Sequence, residues 1–395
     1  MTEGVGENGR VEGTVPAPPG LHAGVREVLA AHWRPEGHTV PNGAAYPWRW
    51  LWDSCFHSII WAALGDGERA VTELAAVLAD QDADGFVPHV AYPSDPGFLA
   101  DFWGRSATSS ITQPPMYGHA AAELVRRGVP VPDEILDRAA GGLRFLLERR
   151  RRSPGGLVTL CHPWESGVDD SPRWDHWCPG GFDTGRWFDL KGTLLGGIER
   201  SAGGAPLANR TFESASAGFN ALAAFNALEL GALVGDQSLV SAAVELSGSL
   251  DRRWDPDLAT WVDDGAGSAT SGRVRTLDAL LGALVLPERA PAVLALALDG
   301  TAYGGVCGPA GVHRDEPAFR PRAYWRGVAW PQLTYLLWVA ACRSGSFDAA
   351  RDLAGRLMRG ADRSGLAEYW DPDDGTGCGA APQSWTGLAA VVSTA

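Results

Sequence analysis

Asp53-Ser54-Cys55-Phe56-His57-Ser58-Ile59-Ile60-Trp61-Ala62-Ala63-Leu64 is the stretch on which the fold turns. Its apolar residues recur at helical spacing. Only Gly65-Asp66 separates it from residues 67–80, a second such segment rich in Ala, Leu and Val. Two helix-period segments joined by so short a connection make a helical hairpin. Working outward, the same signal recurs over residues 21–33, 115–127, 132–152, 189–201, 211–234, 236–254, 277–284, 289–298, 330–343, 347–363 and 385–393. Pro115 suits the first turn of its helix, and the basic run closing 132–152 suits the negative end of a helix dipole.

The connections are unequal. Some are tight turns, whereas residues 35–52, 81–112, 161–188 and 302–329 form long loops rich in aromatic and polar side chains. Paired helices with alternating short and long connections predict an all-α toroid of helical hairpins, its long loops gathered on one face. A solenoid would show a repeated period, and none is present. Nothing marks a boundary between residues 20 and 395, so they are expected to form one domain. Residues 1–19, polar and rich in Gly and Glu, read as a disordered tail.

Composition narrows the function. A net charge of −14 with 33 basic residues argues against nucleic acid and anionic membrane surfaces as partners. No basic end followed by an apolar run opens the chain, and no apolar stretch is read as long enough to span a membrane, which points to the cytoplasm. The six cysteines include no CxxC pair and the histidines no HExxH-type spacing, so free thiols, no metal and no cofactor are expected. The 17 tryptophans exceed what a core readily absorbs, because each buried indole N–H needs a partner. A tryptophan-lined pocket is the simpler reading.

One loop concentrates that chemistry: His162-Pro163-Trp164-Glu165-Ser166-Gly167-Val168-Asp169-Asp170-Ser171-Pro172-Arg173-Trp174-Asp175. Four carboxylates alternate there with two tryptophans and no helix or strand period. Aromatic faces cover the apolar faces of a pyranose, while carboxylates bind hydroxyls and move protons, so a small carbohydrate is the expected ligand. Glycoside hydrolysis commonly needs a second carboxyl group. Glu368, beside Tyr369 and Trp370 and ahead of a turn rich in Asp, Gly and Pro, is the candidate.

Six ordered stretches carry a resemblance: Trp50-Leu51-Trp52-Asp53-Ser54, Ile111-Thr112-Gln113-Pro114-Pro115, Trp164-Glu165-Ser166-Gly167-Val168-Asp169, Tyr324-Trp325-Arg326-Gly327, Glu368-Tyr369 and Ser384-Trp385-Thr386-Gly387. Together they resemble the glycoside hydrolases of family 63 and the related family 37 trehalases, nearest the compact bacterial branch of glucosylglycerate and mannosylglycerate hydrolases. The resemblance implies an (α/α)6 barrel and hydrolysis with inversion. It implies Asp169 as general acid, Glu368 as general base, Asp53 as a holder of sugar hydroxyls, and Tyr324, Trp325 and Arg326 as lining of the same subsite.

Tyr46, Trp50, Trp52, Gln113, Trp164, Gly167 and Trp385 complete the expected substrate site, with Trp50 and Trp385 read as wall rather than direct ligands. Adjacent Asp170 rivals Asp169 as acid, because spacing alone does not choose between them. Glu165, Asp170 and Asp175 otherwise read as loop architecture, capping amides or pairing with Arg173. Asn220 and Asn226 read as core polar groups bonded within their helix environment. Residues 174–187 differ from the segment expected after the acidic motif in glucosylglycerate hydrolases, and this segment is where choice of leaving group is expected to lie. The short chain favours a small glycoside or a gluco-disaccharide as substrate. Two other classes share such features: an (α/α)6-barrel sugar epimerase or isomerase working through histidine pairs, and a non-catalytic carbohydrate-binding protein.

Overall fold

The computed structural model describes residues 13–265 and 273–394. Its α-helices are α1 (Leu21–His32), α2 (Leu51–Ala63), α3 (Gly67–Ala79), α4 (Ala100–Trp103), α5 (Tyr117–Arg126), α6 (Asp133–Arg144), α7 (Thr184–Leu194), α8 (Ala217–Val234), α9 (Gln237–Asp251), α10 (Ala290–Leu298), α11 (Pro331–Arg343), α12 (Phe347–Arg363) and α13 (Leu388–Val391). Leu277–Leu284, expected as α-helix, winds as a 3-10 helix.

Six of these segments form an inner ring in which each packs on the next: α2, α5, α8, Leu277–Leu284, α11 and the C-terminal stretch of Ser384–Gly387 with α13, which returns to α2. Each carries an outer partner, respectively α3, α6, α9, α10, α12 and α1. The sequence explains the division. In α2 every residue from Leu51 to Ala62 is buried, so the helix has no wet face. In α12 the buried residues are Ala350, Leu353, Ala354, Leu357, Met358, Gly360 and Ala361, a stripe at three- and four-residue spacing with charged residues opposite. Apolar all round means inner; amphipathic means outer.

Inner-to-outer connections are tight, whereas those from an outer helix to the next inner one are long. The long loops therefore all collect at the N-terminal ends of the inner helices. Among the described residues, seven two-stranded pairings of two to four residues per strand pin these loops and the termini. Arg49–Trp50 with Val90–Ala91 joins the first two loops, and Tyr369–Trp370 pairs with Gly377–Cys378 beside Glu368.

Several expectations shift. Helix 132–152 ends as α-helix at Arg144 and runs on as a π turn, Phe145–Arg149. The helix expected over 189–201 begins earlier, where the Asp183 side chain caps it through the Arg186 amide, and Ile198–Arg200 leaves as a strand. Helix 211–234 starts only at Ala217, capped by Ser216.

The tail expected to be disordered through residue 19 is tied down from residue 13 onward. Val15–Pro16 pairs in parallel with Ser393–Thr394, and the Trp338 indole donates to the Gly13 carbonyl at 2.9 Å. Main-chain anchoring of two residues leaves no periodic trace in sequence. Residues 1–12 lie outside the described residues.

One helix, α8, does reach the length and hydropathy of a membrane span, against the sequence reading, yet 78% of it is buried inside the ring. Asn220 and Asn226 on that helix bond as expected. Asn220 accepts from the Val158 amide at 2.7 Å and Asn226 from that of His119 at 2.7 Å.

Candidate active site

A pocket of about 440 Å³ opens among the long loops, and five of the six long outer-to-inner connections contribute residues at or beside them to its lining. Pro41, Tyr46 and Trp50 come from the first loop, and Trp52 and Asp53 from the first turn of α2. Gln113 lies just past the second loop, Gly167 and Asp169 come from the acidic loop, and Tyr324 and Trp325 from the fourth. The stretch between α12 and the C-terminal helix supplies Glu368, Gln383 and Trp385.

Asp169 is held from both sides. The Tyr324 hydroxyl donates to its Oδ2 at 3.3 Å, and the Trp187 indole donates to its carbonyl at 2.8 Å. Gly167, two residues before it, has φ +74°, and a Cβ there would stand 2.8 Å from the Trp52 ring. Only glycine lets the loop lie against that indole in this conformation. Burial pushes the Asp169 carboxyl up to about 6, against the pull of nearby Lys191 and with the help of adjacent Asp170.

Glu368 is clamped through backbone and side chain alike. Its N–H donates to the Ala380 carbonyl at 2.8 Å, while its Oε2 accepts from the Ala380 N–H at 3.0 Å. The Tyr46 hydroxyl donates to Oε1 at 3.1 Å, and the Trp385 indole donates to the Glu368 carbonyl at 3.0 Å. Burial pushes this carboxyl up to about 7, opposed by the Ala380 amide and the Tyr46 hydroxyl, and the Asp169 charge adds to the rise. Fully buried Asp53 is held well above the carboxylate range, first by burial and then by the Glu368 charge. Three carboxyl groups thus share a water-poor pocket in which ionising one discourages the next.

Aromatic rings form the walls. Trp325 stacks on Trp330 with centroids 3.8 Å apart and planes 14° off parallel, and Trp385 meets Trp52 edge-on at 5.7 Å. Trp325 holds φ +57°, a costly backbone state for a bulky residue and one that recurs at functional sites. The arrangement suits a single sugar ring gripped by carboxyls and covered by indoles.

Two expected lining residues lie elsewhere. Trp164 packs behind the acidic loop, stacked on His89 and beside Trp103 and His162. Arg326 forks onto Asp175 and stands 3.4 Å from the centre of the Phe182 ring. Both sit close to lining residues in sequence, but the loop turns them away.

The remaining acids of the loop make loop contacts, though none pairs with Arg173. Glu165 accepts from Arg150 at 2.6 Å and from the Cys161 and Thr112 amides; Asp170 pairs with Lys191 at 3.1 Å. Arg173 instead binds Asp278 at 2.7 Å, Asp263 at 3.3 Å and the Ser216 hydroxyl at 2.7 Å, fastening the loop to the inner ring. Pro41 and Gln383 escaped the sequence reading. Their only signals were adjacency to the Asn42-Gly43 turn and to Ser384-Trp385.

No histidine lines the pocket among the described residues, and burial holds His89 and His162 neutral, pushed down to about 3. No group of His, Cys, Asp and Glu able to hold a metal occurs among the described residues.

Residues 46–386 match the model of the mannosylglycerate hydrolase MGH1-like glycoside hydrolase domain. The chain belongs to this family. Among its relatives, glucosylglycerate hydrolase of Mycolicibacterium hassiacum is 30% identical over 87% of this chain and 91% of its own length. Mannosylglycerate hydrolase of Thermus thermophilus is 29% identical over 90% and 96%. The crystal structure of a family 63 mannosylglycerate hydrolase from Thermus thermophilus, in complex with Tris and D-glycerate, superposes with a TM-score of 0.78 at 26% identity. That match covers 94% of this chain and 99% of the other.

A yeast neutral trehalase, 14% identical with a TM-score of 0.57, shares the fold alone. Family membership makes the protein a glycoside hydrolase on an (α/α)6 barrel, and the epimerase and non-catalytic readings give way to it.

Proposed function

We propose that this enzyme hydrolyses a small α-glycoside with inversion at the anomeric carbon. Asp169 protonates the departing glycosidic oxygen, and Glu368 takes a proton from the water that attacks the opposite face of the ring. The observation that carries this is the convergence of two carboxyl groups, 199 residues apart in the chain (368 − 169), on one aromatic pocket, with pKa values of about 6 and about 7. Buried Asp53, in the first turn of α2, serves as the acceptor or donor for hydroxyls of the sugar being cleaved.

The two carboxyl groups, pushed up to about 6 and about 7, titrate close together, so contacts with the substrate set which one keeps the proton. The glycosidic oxygen accepts from neutral Asp169, and the nucleophilic water donates to ionised Glu368, so each contact favours the working state. The names of the relatives favour a glucosyl or mannosyl unit on glycerate, and the short chain also accommodates a gluco-disaccharide. Cys55, Cys161, Cys178, Cys307 and Cys378 form no disulfide, which supports a cytoplasmic setting.

Purified protein offered glucosylglycerate, mannosylglycerate, trehalose and gluco-disaccharides, with the released anomer read by NMR, tests the reading. The β-anomer released first from an α-glycoside is the expected result. Release of the α-anomer would mean retention, which calls for carboxyl groups about 5–5.5 Å apart instead of about 6.5–9.5 Å.

A further inference from the structure

Behind Asp169, on the side away from the pocket, α7 lies against the acidic loop and touches it at three points. The Trp187 indole donates to the Asp169 carbonyl at 2.8 Å, the Lys191 ammonium binds the Asp170 carboxylate at 3.1 Å, and the ring N–H of His162 donates to the Lys191 carbonyl at 2.9 Å. The Lys191–Asp170 pair is almost wholly removed from solvent, with the two side chains 5% and 8% exposed. The ammonium also lies 5.2 Å from the centre of the Trp164 ring and 5.6 Å from that of Trp187. Aromatic faces attract a cation, so the two indoles complement the ammonium where it sits. It also explains where Trp164 has gone: it floors the lysine, not the sugar.

A buried ion pair is an expensive way to fasten a loop, since matched apolar side chains often do as well. Its location beside one carboxyl group of the pocket is what distinguishes this one. We propose that Lys191, through its ion pair with Asp170, is a positioning residue that sets both the placement and the proton affinity of Asp169. The inference rests on Asp169 being the general acid. The two charges act on Asp169 in opposite senses, Lys191 favouring its anion and Asp170 its neutral form, so the pair keeps it poised. The other groups facing Asp169 are the Tyr324 hydroxyl and, across the pocket, Glu368, Asp53 and the Tyr46 hydroxyl. None of these is substituted in the variants that alter the pair.

The test is the pH profile of kcat, which reports the substrate-bound enzyme, for Lys191→Met, Asp170→Asn and the double variant. Activity is lost on the alkaline side as Asp169 gives up its proton. Removing Lys191 therefore moves that limb to higher pH, removing Asp170 moves it to lower pH, each by about one unit, and the double variant returns toward the wild type. Identical limbs in all four proteins, or shifts in one direction only, would overturn the proposal.

Lys191→Arg, which keeps the charge, guards against a fold effect: it retains the wild-type limb if the charge matters, and a limb displaced as in Lys191→Met would refute it. Asp169→Asn is assayed in parallel on a glycoside with a nitrophenolate leaving group that needs no proton. Equal loss on activated and natural substrates would bring down the acid assignment itself, whatever the Lys191 variants do.

Discussion

At the scale of single residues, the proposed chemistry rests on carboxyl groups kept out of water. Asp169→Asn is expected to lower kcat about 10²–10⁴-fold on a substrate with a poor leaving group and far less on an activated aryl glycoside, a contrast that steady-state kinetics measures directly. The two groups titrate as a coupled pair at about 6 and about 7, so kcat/KM should follow a narrow bell between those values. Below it both carboxyls hold protons and no base is available; above it both are ionised and no acid remains.

The same shifts cost stability. Because the Glu368 carboxyl rises from 4.5 to about 7 on folding, the stability fully present below its unfolded value is lost as pH rises through about 7. Glu368→Gln keeps an oxygen for the Ala380 amide and turns its NH2 toward the Tyr46 hydroxyl, which can accept, while removing the charge. It should stabilise the protein by about 1–3 kcal/mol at pH 8 and hardly at all at pH 4.5, read from denaturant unfolding at the two pH values.

At the scale of elements, the acidic loop is a rigid piece and not a solvated strand of carboxylates. Glu165 and Arg150, both with fully buried side chains, pair beneath it, and Arg173 bolts its far end to Asp278 of the inner ring and to Asp263 in the loop before it. Breaking the first pair leaves a buried charge unmatched. Arg150→Met should cost about 3–5 kcal/mol in denaturant unfolding and lower activity although Arg150 does not line the pocket. The loop motif was legible in sequence because chemistry restricts residue types at the site. The partners of its acids were not, because Arg150, Lys191 and Arg326 lie 15, 21 and 151 residues from the acids they meet, and spacing carries no information over such contacts. Trp164 and Arg326 were misplaced for a related reason: a motif says which residues are near a site, while loop curvature decides which face it.

At the scale of the whole molecule, the barrel closes by joining its two ends. The outer partner of the C-terminal segment is α1, the first helix, and Val15–Pro16 zips against Ser393–Thr394. Deleting residues 1–16 should lower the melting temperature by a few degrees, through loss of about 1–2 kcal/mol of hydrogen bonding, while leaving kcat nearly unchanged, since no described residue before Pro41 lines the pocket. Calorimetry and kinetics on the truncated chain measure both. The helix periods, the alternation of short and long connections and the motifs around Asp53, Asp169 and Glu368 were written in the chain itself, because propensity, burial pattern and site chemistry act locally. That was enough for the all-α toroid and for eleven of the thirteen residues expected at the site, all of which line the pocket. Closure through the termini, the exile of Trp164 and Arg326, the entry of Pro41 and Gln383 and the buried Lys191–Asp170 pair were decided only in three dimensions. They depend on which distant side chains meet once water is excluded, and that is a property of the packed ring.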